Sequence, residues 1–120
     1  MSDPVSPPGF AIEHTAQGDG AVTLSLAGEL DITSAGGLEQ RLQALLEQDR
    51  TSRIVLDLGG LSFIDSTGLR AIVIGADACK SRGCELLLVP GPPAVQRLFE
   101  LTGLIDVLPF EAHEPDAAQP

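Results

Sequence analysis

The chain has 120 residues, 43% of them hydrophobic and 3% aromatic, and a formal charge of −10 at pH 7. That is enough chain for one domain with a core of its own, and it is too apolar through its middle to stay disordered. Seven basic residues against seventeen acidic ones argue against nucleic acid and anionic membrane surfaces, and the lack of Trp and Tyr leaves little to stack on bases or sugars.

In chain order, Phe10 to His14 is expected as a short edge strand, turned by Gly18-Asp19-Gly20. Val22, Leu24 and Leu26 alternate along Ala21 to Ala27, a second strand that forms a hairpin with the first. Thr33 or Ser34 can then cap a helix whose Leu38, Leu42, Leu45 and Leu46 make one apolar stripe. Arg53 to Leu58 is a short apolar run of the kind that central parallel strands show. Asp65-Ser66-Thr67-Gly68 opens a helix that runs from about Ser66 to Ser81 and ends at Gly83.

Glu85 to Val89 reads as another buried strand, broken by Pro90-Gly91-Pro92-Pro93. The following helix carries Val95, Leu98, Phe99 and Thr102, and Gly103 suits its stop. A last strand is expected over Asp106 to Phe110. The order β-β-α-β-α-β-α-β is that of an α/β fold: a single domain over residues 11–110, its mixed sheet mostly parallel with an N-terminal hairpin, packed with α-helices. The Pro-rich segment 1–10 and the acidic segment 111–120 read as flexible tails.

Cys79 and Cys84 have no metal-ligand spacing and read as buried reduced thiols. No stretch reaches the roughly 18 apolar residues of a membrane helix. The first residues lack the basic and apolar regions of a signal peptide, so the cytoplasm is the expected location.

In a parallel sheet, the loops leaving the C-terminal strand ends gather on one edge beside helix N-termini. Two such loops are rich in acids and hydroxyls: Glu29 to Ser34, with Asp31, Thr33 and Ser34, and the stretch Asp65 to Gly68. Topology makes them neighbours. Projecting the helix that follows at about 100° per residue puts Leu69, Ile72, Val73, Ala76 and Cys79 on a core face, with Arg70, Asp77 and Ser81 opposite. Ile74 falls beside Arg70 and is expected at least half exposed, next to Ala71 and Ala78. Such an apolar patch beside the loop marks a partner surface unless a neighbouring helix or tail covers it.

Catalysis by these loops has little to draw on. A nucleophilic Ser needs a base and an oxyanion hole, yet both histidines, His14 and His113, lie in or next to the expected tails. The stretch lacks the first glycine of a nucleophile elbow, and the chain has no phosphate-binding P-loop. Asp31 and Asp65 make a weak pair for Mg²⁺. No cofactor or metal is expected, and no enzymatic activity. Two readings of Ser66 remain: a helix cap, or a phosphate acceptor at a helix N-terminus.

Three segments, taken together, resemble a STAS domain of the bacterial anti-sigma factor antagonist type: GELD at Gly28 to Asp31, SFIDSTGL at Ser62 to Leu69, and PAVQRLFELTGL at Pro93 to Leu104. The resemblance covers about residues 11 to 110. It implies partner switching, in which the unmodified antagonist binds an anti-sigma factor that is also a serine kinase and so frees the sigma factor. The kinase phosphorylates the hydroxyl after the motif's Asp, Ser66 here, and a PP2C-type phosphatase restores it. The resemblance places Asp31, Gly68 and Leu69 beside Ser66 on the partner surface, and the loop topology and helical projection above add Thr33, Ser34, Asp65, Thr67 and Ile74 to it. The alternative is a STAS-type scaffold or regulatory subunit of a stress-signalling or transport complex, with Ser66 only a cap. A small nucleotide-binding protein ranks last, for want of a phosphate loop.

Overall fold

Gly18 and Gly20 take φ of +86° and +94° in the turn after the first strand, a region open to glycine at no steric cost. They join β1 (Phe10–Ala16) to β2 (Ala21–Leu30) as an antiparallel hairpin. The computed structural model describes residues 9–111. It continues with α1 (Ala35–Leu46), β3 (Arg53–Ile64), α2 (Ser66–Ser81), β4 (Glu85–Val89) and α3 (Pro93–Leu101). Nearly all of both expected tails lies outside the described residues.

The strands lie side by side in the order β1-β2-β3-β4, with β2, β3 and β4 parallel. Two successive right-handed crossovers stepping in the same direction put α1 and α2 on the same face of the sheet. Burial agrees. Val22, Leu24 and Leu26 of β2, Ile54 and Leu56 of β3, and Leu86 and Leu88 of β4 face inward; the residues between them are largely half-buried. Leu38, Leu42 and Leu45 of α1 and Leu69, Ile72 and Cys79 of α2 close over that face. Phe99 of α3 is fully buried and meets Phe110 edge-on, ring centroids 5.0 Å apart.

Three expectations need correcting. Strands β2 and β3 run on past Ala27 and Leu58, because register shifts between Ser25 and Ala27 and between Gly28 and Glu29 let the pairing continue through glycines. Gly60 is needed there: a Cβ would meet the Leu26 carbonyl oxygen at 2.7 Å. The last strand does not form. Leu104–Asp106 is a 3₁₀ turn, and the Val107 and Leu108 amides donate back to the Leu104 carbonyl at 3.0 and 2.9 Å. Apolar Leu104, Ile105 and Leu108 have helical spacing, so local bonds prevail, leaving one parallel bridge between Phe110 and Leu88. Finally, Ala71 is buried rather than exposed beside Ile74, since α1 packs against that side of α2.

Candidate functional site

Leu30 and Ile64 are partners in the parallel ladder, so Asp31 and Asp65 leave adjacent strands side by side. The Asp65 amide still donates to the Leu30 carbonyl at 3.2 Å, which ties the two loops together at their roots. Gly68 completes the join. It is buried against Leu30, and any Cβ on it would clash with the Leu30 carbonyl oxygen and side chain.

Asp31 is half-buried and folds its carboxylate back on its own loop. It accepts from the Thr33 hydroxyl at 2.7 Å and from the Thr33 amide at 2.9 Å. The Thr33 hydroxyl, then the Thr33 amide, hold its carboxyl below the usual value of 3.8, with Ser34 helping and desolvation opposing. Ser34 is buried, and its hydroxyl accepts from the Asp31 amide at 2.9 Å and donates to the Glu29 carbonyl at 2.8 Å. It stands at the N-cap position of α1 without a side-chain capping bond, because its oxygen serves the loop instead.

At α2 the cap is Asp65. Its extended backbone aims a carboxylate oxygen at the Gly68 amide, 3.0 Å away, and its carbonyl accepts the first helical bond from Leu69 at 2.9 Å. Ser66 is the first helical residue and is exposed; Thr67 is half-buried. Arg70 lies one turn on, exposed and on the side of the helix that Ser66 occupies. Ile74 follows one turn later at 44% exposure, above a groove of about 220 Å³ between α1 and α2 that Glu39, Leu42 and Gly75 also line.

The expected surface residues thus divide. Asp31, Thr33, Asp65, Ser66, Thr67 and Ile74 reach solvent wholly or in part. Ser34, Gly68 and Leu69 are buried and shape the surface from beneath, because the ladder and the helix start need their atoms inside. Two exposed apolar side chains at this edge escaped the sequence reading: Ile32, 75% exposed within the first loop, and Phe63, 48% exposed at the end of β3. An isoleucine between Asp31 and Thr33 was the available signal for the first. For Phe63, a strand expected to stop at Leu58 hid it.

The STAS-domain family profile matches residues 14–117. This chain belongs to the STAS family. Among STAS relatives, the anti-sigma-B factor antagonist of Bacillus subtilis is 34% identical over 103 residues, 86% of this chain and 93% of that one. An anti-sigma factor antagonist from Mycobacterium paratuberculosis has a crystal structure with TM-score 0.75 and 28% identity, covering 98% of this chain and 95% of its own. The unphosphorylated form of the anti-sigma factor antagonist SpoIIAA shares the fold, with TM-score 0.73 at 22% identity over 89% and 92% of the two chains. The ladder register places both acid-and-hydroxyl loops on one edge of the sheet. Among the described residues no helix is long and apolar enough to cross a membrane, and no group of three or more His, Cys, Asp or Glu could hold a metal ion.

Proposed function

We propose that this chain is an anti-sigma factor antagonist switched by phosphorylation of Ser66, acting in the cytoplasm as a substrate and binding protein rather than as an enzyme. In its unmodified form it binds an anti-sigma factor that is also a serine kinase, and the sigma factor is released. The observation that carries this reading is the division of labour at the start of α2: Asp65 caps the helix, so the exposed Ser66 hydroxyl is spare. That division favours the switch over a scaffold in which Ser66 merely caps. The relatives' names support the coarser role of anti-sigma factor antagonist.

In the modification the Ser66 oxygen bonds to the γ-phosphorus of ATP, ADP leaves, and the hydroxyl proton passes to a base on the kinase. ATP and Mg²⁺ belong to that partner. The phosphate adds about −1.5 to −2 of charge, a small change on a chain at −10 but a large one beside Asp31 and Asp65. The amides of the first turn and the helix dipole tolerate it, so the fold persists. A partner that must desolvate the same edge meets an unpaired charge costing several kcal/mol. A PP2C-type phosphatase returns Ser66 to the binding form. We assign Asp31, Thr33, Asp65, Ser66, Thr67 and Ile74 to the contact surface, with Ser34, Gly68 and Leu69 holding its shape.

Intact-mass spectrometry after incubation with ATP and the cognate anti-sigma kinase tests the site, with one phosphate expected on Ser66. Ser66→Asp is expected to lose anti-sigma binding in a pull-down while its circular dichroism matches wild type, and Ser66→Ala to bind and resist modification. A Ser66→Asp chain that binds like wild type sinks the switch.

A further inference from the structure

Helix α3 carries a second stripe that the core does not use. Val95 and Phe99 are fully buried and make its inner face. Ala94, Arg97, Leu98 and Leu101 fall at helical spacing on the adjoining face, where Leu101 is left 70% exposed. This stripe lies in PAVQRLFELTGL, a segment to which the proposed switch gives no task.

Strand lengths explain why the stripe has a facing wall. β4 ends its pairing at Val89 opposite Asp57, whereas β3 runs on to Ile64. Past Asp57 it is α3, and not a further strand, that lies beside β3. Ser62, Phe63 and Ile64 form one wall of a groove of about 310 Å³, and the α3 stripe forms the other. Phe63 is 48% exposed although Ile64 beside it is buried, so its ring lies at the surface and not in the core.

The groove holds one charge. Arg97 is exposed and has no carboxylate at ion-pair distance; among the described residues the one ion pair joins Arg53 to Glu85 at 3.4 Å. The groove is also continuous with the switch, since Ile64 of its wall leads straight into Asp65, the cap of α2, and Ser66.

We propose that this groove is a second contact for the anti-sigma factor and takes an apolar segment of that partner bearing an acidic side chain. The inference rests on the antagonist reading above. Continuity is the first reason: a partner that covers Asp65 and Ser66 comes within reach of Phe63. Charge is the second, because the Arg97 guanidinium is free to take a carboxylate, with Leu98 and Leu101 beside it to keep water from the pair. On a chain at −10, one such pair within a basic partner fixes the register of binding and adds little to long-range attraction. The two sites then divide the work. Ser66 switches binding, and the groove supplies affinity and orientation in the unmodified state.

The test is isothermal titration calorimetry of the full chain against the anti-sigma factor used for the Ser66 variants, with folding checked by circular dichroism. Leu101→Ser and Phe63→Ser are each expected to weaken binding about tenfold, and Arg97→Gln about threefold. Val107→Ser removes an apolar side chain that is 74% exposed beside the far end of α2, and it is expected to bind like wild type. If Phe63→Ser unfolds, Leu101→Ser and Arg97→Gln carry the test, since both of those side chains are exposed. Wild-type affinity in those two variants overturns the groove and leaves the switch standing. A wild-type chain that binds no anti-sigma factor overturns the antagonist reading, and the groove contact with it. Unchanged anti-sigma binding together with slower dephosphorylation, or with altered self-association in sedimentation, gives the groove to a different occupant and overturns the proposal as well.

Discussion

At the scale of single residues, the start of α2 separates two roles that one serine could have filled. Asp65 supplies the capping oxygen and Ser66 keeps its hydroxyl in solvent. Asp65→Ala should therefore cost about 1 kcal/mol in urea unfolding, the ordinary loss of a cap, while Ser66→Ala should change stability by only a few tenths. Equal losses would mean that the serine shares the capping. Asp31 makes a different kind of prediction. The Thr33 bonds depress its folded carboxyl pKa below the unfolded value, so the stabilisation they bring is complete above about pH 4 and fades as pH falls through the folded value. A carbon-detected NMR titration should place the Asp31 midpoint below 3.8, and Thr33→Ala should move it back toward that value by removing the hydroxyl while keeping the amide.

At the scale of elements, α2 ties the site together. Its first turn abuts Leu30 of β2 through Gly68, its middle packs on α1 with Gly75 against Leu42, and its end closes with the Cys84 amide donating to the Cys79 carbonyl. Gly68→Ala is expected to be costly because the atom in the way is backbone: α2 must back off from β2, at about 1–3 kcal/mol, with a melting temperature lower by several degrees. Anti-sigma binding should weaken with it, since the two loops would separate. The sequence reading of this helix was sound at both ends, where an acid-and-hydroxyl start and a glycine stop are local signals. Its middle was harder to read, because Ala71 looks outward in a helical projection and only the packing of α1 turns that side inward.

At the scale of the whole molecule, charge and topology act together. A chain at −10 attracts a basic partner over distance, and that attraction is screened by salt, whereas a phosphate inside the desolvated contact is not. The association rate with the anti-sigma factor should fall about tenfold from low salt to ~0.5 M, measured by surface plasmon resonance. The ratio of wild-type to Ser66→Asp affinity should hardly change over that range. A ratio that collapses with salt would place Ser66 outside the desolvated contact.

By itself the sequence determined the elements with strong local signals: the alternating Val22, Leu24 and Leu26, the leucine stripe of α1, the start and stop of α2, and the proline-led α3. It also determined which loops carry acids and hydroxyls, because in a parallel sheet the site edge follows from element order. Tertiary structure decided what depends on residues far apart in the chain. Strand pairing carried β3 past its glycines and exposed Phe63, and α1 covered Ala71; the final strand expected over Asp106 to Phe110 was lost instead to local turn bonds at Leu104 to Leu108. The choice of Asp65 over Ser66 as cap was the closest case, since both side chains can reach a free amide. The register of Leu30 with Ile64 settled it, by holding Asp65 extended at the strand end and leaving Ser66 to begin the helix.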